Sequence, residues 1–342
     1  MRLRVMKKTD LADFVANLMR SYEVVGPKAK NDRFVFGTLD SPDELRLDYD
    51  TTILPPKKYL LPQREKLLQY RVGTELDVED HIEAPRRVLL GVHPYDIKAI
   101  AQMDRYFTEE HPDIHYIKKR ENTIIIGLDP INISEHAFCT AMNSATVDEG
   151  FDLMLTDIGE SYVVAVGSEK GEALLAESAR CSDASKKHTN ARDKARQEIA
   201  KLCAKQETSF TAQELPELLE RCESHMVWED KGDKCLSCGS CVMVCPSCYC
   251  FDVGDEVELN LVDGHRWRQW DGCVLEDFAK VASGENFREA RVARYRHRFY
   301  RKGQYLFTRF GEPACVGCGR CASACLPDIA NPVAVYNALK EE

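Results

Sequence analysis

The sequence predicts a mixed-sheet protein, α+β or α/β over its N-terminal and central regions, closed by a small cysteine-rich C-terminal domain. Three observations predict it. Short β-branched or leucine-rich runs recur through the middle of the chain, each bounded by turn residues. Charged, alanine-rich helical sequence follows at 169–226. Eleven of the fifteen cysteines then crowd between Cys235 and Cys325, and none precedes Cys139.

Residues 1–84 read as an N-terminal region of short apolar runs and charged loops. Within it, Pro55, Pro56 and Pro62 lie in eight residues. Prolines lack backbone donors and fix φ, so Thr52 to Glu65 reads as an ordered connector followed by a short helix. A central α/β domain is expected over 85–180. Its buried strands are 87–92, 123–128 and 151–156, and 161–166 returns as a hairpin partner after the turn at 157–160. Ile97, Ile100, Ala101 and Met103 are spaced for one buried helix face, with Asp96 near the helix start. No central glycines form Gly-x-Gly-x-x-Gly or a P-loop, so the sheet is read as a scaffold or docking surface. His93, just after the first of these strands, reads as structural. A helical connector over 181–228 leads into the cysteine-rich domain, 229–342.

Composition narrows the function classes. Fifteen cysteines in 342 residues fall short of a disulfide-stapled miniprotein, and a chain this long can bury an ordinary core. The N-terminus has no apolar signal stretch, and no run reaches the roughly 18 apolar residues that span a bilayer. Clustered cysteines in odd number then point to metal ligation in a reducing compartment, hence a cytoplasmic location without membrane attachment. With 46 basic and 56 acidic residues the net charge is −10, which argues against nucleic-acid binding as the main task.

The cysteines carry the strongest signal, and it comes twice. Cys235, Cys238, Cys241 and Cys245 follow Cys-x2-Cys-x2-Cys-x3-Cys with Pro246 next, and Cys315, Cys318, Cys321 and Cys325 repeat the spacing. This is the bacterial ferredoxin run that holds [4Fe–4S] clusters, so 229–342 reads as a ferredoxin-like 2[4Fe–4S] domain with a long insertion at 246–314. In such runs the fourth cysteine ligates the other cluster. Cluster one is therefore assigned to Cys235, Cys238, Cys241 and Cys325, and cluster two to Cys315, Cys318, Cys321 and Cys245. Gly239, Gly317 and Gly319 let the loops turn tightly. Two structural zinc sites are the competing reading, but zinc favours separated Cys-x2-Cys pairs over three in tandem plus a fourth. The second run departs in one respect: Leu326 separates Cys325 from Pro327.

Seven cysteines remain. Cys181, Cys203 and Cys222 lie in helical sequence and are expected to be thiols without a ligand task. Cys139, Cys248, Cys250 and Cys273 sit in loops flanked by aromatics. They make a possible third [4Fe–4S] site, against the alternative of plain thiols in a packed insertion. Tyr249, Phe251, Trp267 and Trp270 are expected to shield it. Just before the second run, Arg288, Arg291, Arg294, Arg296, Arg298, Arg301 and Lys302 place seven cations in fifteen residues. Three readings stay open for them: a solvated helix face, docking of an acidic partner, or tuning of a cluster.

These motifs resemble a family of 4Fe-4S dicluster proteins. It comprises the beta subunit of soluble sulfhydrogenases (nickel–iron hydrogenases) and the matching iron–sulfur subunit of anaerobic sulfite reductase, and the resemblance covers most of the chain. It is carried by Pro55-Pro56-Lys57-Lys58-Tyr59 with Pro62-Gln63-Arg64-Glu65, and by Gly91-Val92-His93-Pro94-Tyr95-Asp96. It continues in Arg120-Glu121-Asn122-Thr123, Gly150-Phe151-Asp152-Leu153, Cys245-Pro246-Ser247-Cys248-Tyr249-Cys250-Phe251 and Asn286-Phe287-Arg288. In that family the Cys139 loop often carries a second cysteine two residues earlier, where this chain has Ala137.

The resemblance implies an iron–sulfur electron-transfer subunit with no substrate site of its own, in an anaerobic oxidoreductase complex. It implies two partners. One is a flavin subunit that handles NAD(P)H. The other is a catalytic subunit: a nickel–iron hydrogenase, a sulfite reductase or a heterodisulfide reductase-like protein. The alternatives are a self-contained flavin-dependent reductase and an iron–sulfur redox-sensing module.

Overall fold

The computed structural model describes residues 2–109 and 112–341, a mixed α/β protein built around two sheets. Twelve strands are found among the described residues: β1 Arg2–Lys7, β2 Glu23–Lys30, β3 Arg33–Thr38, β4 Arg64–Val72, β5 Leu76–Asp80, β6 Arg87–Val92, β7 Thr123–Leu128, β8 Leu153–Asp157, β9 Ser161–Val166, β10 Ser182–Asp183, β11 Phe251–Val257 and β12 Asp263–Trp270.

Eight of them form the larger sheet, in the order β10-β1-β9-β8-β7-β6-β2-β3. Its centre is parallel, from β2 through β6 and β7 to β8, and its flanks are antiparallel. Central parallel strands are covered on both faces, which is why β7 is Thr-Ile-Ile-Ile-Gly-Leu with every residue buried. Ser161 onward does return as the hairpin partner of β8. Ile97, Ile100, Met103 and Phe107 of helix Pro94–Thr108 join the core of this sheet with Phe14, Val15 and Leu18 of helix Leu11–Met19. Because β1, β2 and β3 lie in the same sheet as β6–β9, residues 1–84 and 85–180 share one core.

The second sheet, β11-β12-β4-β5, is antiparallel and joins residues far apart in sequence. It corrects one local expectation. Pro56–Tyr59 makes a single 3-10 turn, and the next element is strand β4 rather than a short helix. Pairing with β12, about two hundred residues downstream, overrides the local pattern. Arg268 of β12 anchors the sheet: it pairs with Glu65 of β4 at 2.6 Å and with Asp113, which caps helix Ile114–Glu121.

Helices Glu169–Ser178, Lys186–Leu202 and Leu215–Arg221 fill the region read as helical from sequence. The cysteine-rich end adds helix Arg291–Tyr300, which runs on through a π-helical turn, Arg301–Tyr305. Among the described residues no helix is long and apolar enough to cross a membrane.

Candidate iron–sulfur centre

Each ferredoxin-type run is a loop that turns at a left-handed glycine into a one-turn helix. Gly239 (φ 77°) precedes Ser240–Met243, and Gly319 (φ 79°) precedes Arg320–Ser323. Gly317 is also left-handed, at φ 65°. A side chain there would also meet the Phe138 carbonyl at 2.8 Å, because the 134–145 loop packs directly on this run. Phe138 N donates to Gly317 O at 2.8 Å, and Ser144 Oγ to Val316 O at 2.6 Å.

Cys315, Cys318 and Cys321 surround one small cavity, and the fourth cysteine on its wall is Cys245, from the other run. The cavity is closed by Phe138, Phe299 and Tyr336. Cys235, Cys241 and Cys325 are together the electrostatic neighbours of Tyr295. Cys238 is exposed. Burial opposes ionisation here, pushing the Cys241 and Cys315 thiols up to about 12.

A second cavity lies beside the first, lined by Cys248, Cys250 and Cys273. Arg298 and Lys302, one helical turn apart, line both cavities. Cys139 does not join the second cavity, so the expected set of four loop cysteines is corrected to three. Its thiol donates to Gly317 O at 3.4 Å and meets Cys203, in an apolar cluster with Tyr95, Ala99 and Val316. The clasp of the 134–145 loop on the second run fixes it there. Cys203 is accordingly a packing partner of Cys139, at the end of its helix. Cys222 ends helix Leu215–Arg221 and donates to Leu339 O at 3.4 Å, and Cys181 is half-buried just before β10.

The charges around these cysteines test whether clusters fit. Arg298 is 4% exposed, Lys302 7% and Lys57 2%, yet none has a carboxylate partner among the described residues. Arg298 reaches Cys321, while its Nε has no hydrogen-bond partner. Lys302 donates to Ser247 Oγ at 2.9 Å, and Lys57 to the Cys248 carbonyl at 2.6 Å. Lys57 also sits 4.2 Å above the ring of Trp270, and burial pulls it down to about 8. Buried cations without counter-charge are costly. Thiolate-bound iron–sulfur clusters carry net negative charge and supply the missing partner. The donor set and the cations together fit them.

Of the cations in the basic run, Arg294 and Arg298 are buried with Lys302, so a wholly solvated face is not what forms. Arg294 ties the first run's loop through Ser237 Oγ at 3.1 Å. Tyr249 packs on Tyr106 at 3.7 Å between ring centres and accepts a hydrogen bond from Arg301. Trp270 donates to Leu61 O at 3.0 Å, whereas Trp267 stacks under Arg64 in the second sheet and Phe251 is exposed. His93 is a packing residue, stacked on Tyr49 at 4.0 Å and bonded to Tyr95 OH at 2.8 Å.

Two participants were not singled out from sequence. Lys57 lies in a segment that reads as a proline-rich connector, and the pair of Asp96 with Arg320 joins residues in separate motifs. A signal for Arg298 and Lys302 did exist: their i, i+4 spacing puts them on one face of a helix.

Comparisons with known proteins agree with this geometry. The model of a 4Fe-4S dicluster domain matches residues 234–329. The chain is 33% identical over 316 residues to the beta subunit of sulfhydrogenase 2 from Pyrococcus furiosus, covering 92% of this chain and 91% of that one. No solved structure matches it at a significant level.

Proposed function

Because the chain belongs to the sulfhydrogenase beta-subunit family, we propose that it is the iron–sulfur electron-transfer subunit of a hydrogenase-type complex. The observation that carries the reading is the pair of buried cations, Arg298 and Lys302, set between two cysteine-lined cavities. When bound, [4Fe–4S] clusters take up and release single electrons, whereas NAD(P)H delivers a hydride and needs a flavin to divide it. The two partners are accordingly a flavin subunit that handles NAD(P)H and a catalytic metal-containing subunit.

The work is divided among the residues. Cys315, Cys318, Cys321 and Cys245 hold one cluster, and Cys235, Cys238, Cys241 and Cys325 the other. Crossing the ligands this way keeps the two centres close. Phe138, Phe299 and Tyr336 exclude water from the inner one. Arg298 and Lys302 offset its negative charge and favour the reduced form. Exposed Cys238, with Leu236 and Leu326 beside the outer centre, offers a face on which a partner can dock. Cys248, Cys250 and Cys273 hold a third iron–sulfur site next to the inner centre.

The test is anaerobic isolation of the full chain with iron, sulfide and zinc analysis, followed by reduction with the flavin subunit. Paired [4Fe–4S] signals that are reduced by the flavin partner and reoxidised by the catalytic one are expected. Stoichiometric zinc with iron near zero overturns the reading. Tightly bound flavin with turnover by the isolated chain favours a self-contained reductase instead.

A further inference from the structure

The cavity beside the inner centre is a built site that lacks a fourth cysteine. Cys248 and Cys250 alternate with Tyr249 in extended chain leading into β11, so both thiols face one side while Tyr249 turns to Tyr106. The β11–β12 pairing closes the site from the other strand. Phe251 pairs with Trp270, Asp271 N donates to Cys250 O at 3.0 Å, and Cys273 comes two residues later. Between them Gly272 passes so near Val242 that a Cβ would lie 2.4 Å from its side chain. Arg298, Arg301 and Lys302 face the three thiols, and all three are electrostatic neighbours of Cys273.

We infer that Cys248, Cys250 and Cys273 bind a [4Fe–4S] cluster through three thiolates, its fourth iron carrying an exchangeable ligand from solvent instead of a cysteine. The inference rests on the iron–sulfur reading above. Each candidate for the fourth position is committed elsewhere. Cys139 is pinned to Gly317 and Cys203. Cys241 belongs to the first run's spacing. Asp271, on the cavity's edge, accepts from Gly272 N at 2.7 Å and has Asp252 and Asp277 as charged neighbours, not the cysteines. Three cations facing three thiolates also fit a cluster of lower negative charge than a four-thiolate one.

An iron without a protein thiolate is labile. When ferricyanide takes one electron from such a [4Fe–4S]2+ cluster, one Fe2+ leaves and a [3Fe–4S]+ core remains, so charge and iron balance. The experiment titrates the anaerobically reconstituted full chain with ferricyanide, following released Fe2+ and the paramagnetic signal of [3Fe–4S]+. About twelve irons per chain are expected, with one released and the signal restored to silence by added Fe2+. Cys273→Ser and Cys250→Ser should each lower the content to about eight irons and abolish the signal. Cys139→Ala should keep both, with circular dichroism confirming its fold. About eight irons in the wild type without the signal overturns the inference and leaves the two-cluster reading standing. Loss of the same irons in Cys139→Ala overturns it in favour of four thiolates. Iron near zero overturns both readings.

Discussion

Arg320 grips Asp96 with two hydrogen bonds, of 2.6 and 2.7 Å, across 224 residues of sequence. Both side chains are almost wholly buried. Arg320 stands between Cys318 and Cys321, while Asp96 lies in the first turn of the helix after β6. The same guanidinium donates to Thr52 O at 2.8 Å and Thr52 Oγ1 at 3.1 Å. One residue therefore fastens the second cysteine run to both the central sheet and the proline-rich segment.

Breaking that pair strands a buried charge. Asp96→Asn or Arg320→Gln should cost about 3–5 kcal/mol of stability, because desolvation is then uncompensated. Arg320→Lys should also destabilise, since an ammonium cannot reproduce the two-pronged contact. Replacing both, as Asp96→Leu with Arg320→Met, should recover much of the loss. Denaturant melts of the reconstituted chain measure all four. A single-variant cost below about 1 kcal/mol would show the pair to be dispensable.

Arg298 and Lys302 should set potentials as well as stability. A cation favours the more negative, reduced form of a nearby cluster, so Arg298→Gln and Lys302→Met should each lower a midpoint potential. At an effective dielectric constant of about 20 and a separation of about 8 Å, the interaction is about 2 kcal/mol. For one electron that is on the order of 90 mV. Redox titration followed by electron paramagnetic resonance reads the shift directly. Unchanged potentials in both variants would reduce these cations to packing residues.

Local pattern carried much of this structure. The strands at 87–92, 123–128 and 161–166 are continuous apolar runs, and burial on both faces leaves them few alternatives. The two cysteine runs were equally legible, because loop ligation demands a fixed spacing within a few residues. The features that escaped are long-range. Arg64–Val72 became strand because β12 pairs with it, and nothing within the segment announces that partner. Asp96 read as a residue near a helix start, whereas its buried contact with Arg320 decides its role. Cys139 was grouped with the other loop cysteines on composition alone. Its actual position comes from backbone hydrogen bonds between the 134–145 loop and Gly317, which no spacing encodes.

Acid should loosen the helix that carries these cations. His297 lies between Arg296 and Arg298 and is half-buried. Burial first, then Arg288 and Arg301, pulls it from an ordinary 6.5 down to about 4. Between those values the unfolded chain binds the proton and the folded one does not, so stability falls as pH drops from about 6.5 to about 4. Discounted for its partial exposure, the loss is about 1–2 kcal/mol. His297→Gln should flatten that part of the stability–pH curve. An identical slope in wild type and variant would assign the acid sensitivity to other groups.

The crossed ligand assignment makes a prediction that single substitutions cannot test alone. Cys325→Ser and Cys235→Ser belong to one cluster if the runs exchange their fourth cysteines, although they lie 90 residues apart. Removing both should then cost about four irons, no more than either alone. Cys325→Ser with Cys315→Ser, ten residues apart in a single run, should instead cost about eight, because the pair disables two clusters. The same contrast holds for Cys245→Ser, whose loss should add nothing to Cys318→Ser and should add to Cys238→Ser. Iron and sulfide analysis of these double variants, each checked for native circular dichroism, decides between crossed and uncrossed ligation. The reverse pattern, additive across runs and non-additive within one, would mean that each run closes on its own cluster. That outcome would contradict the cavity in which Cys245 faces Cys315, Cys318 and Cys321.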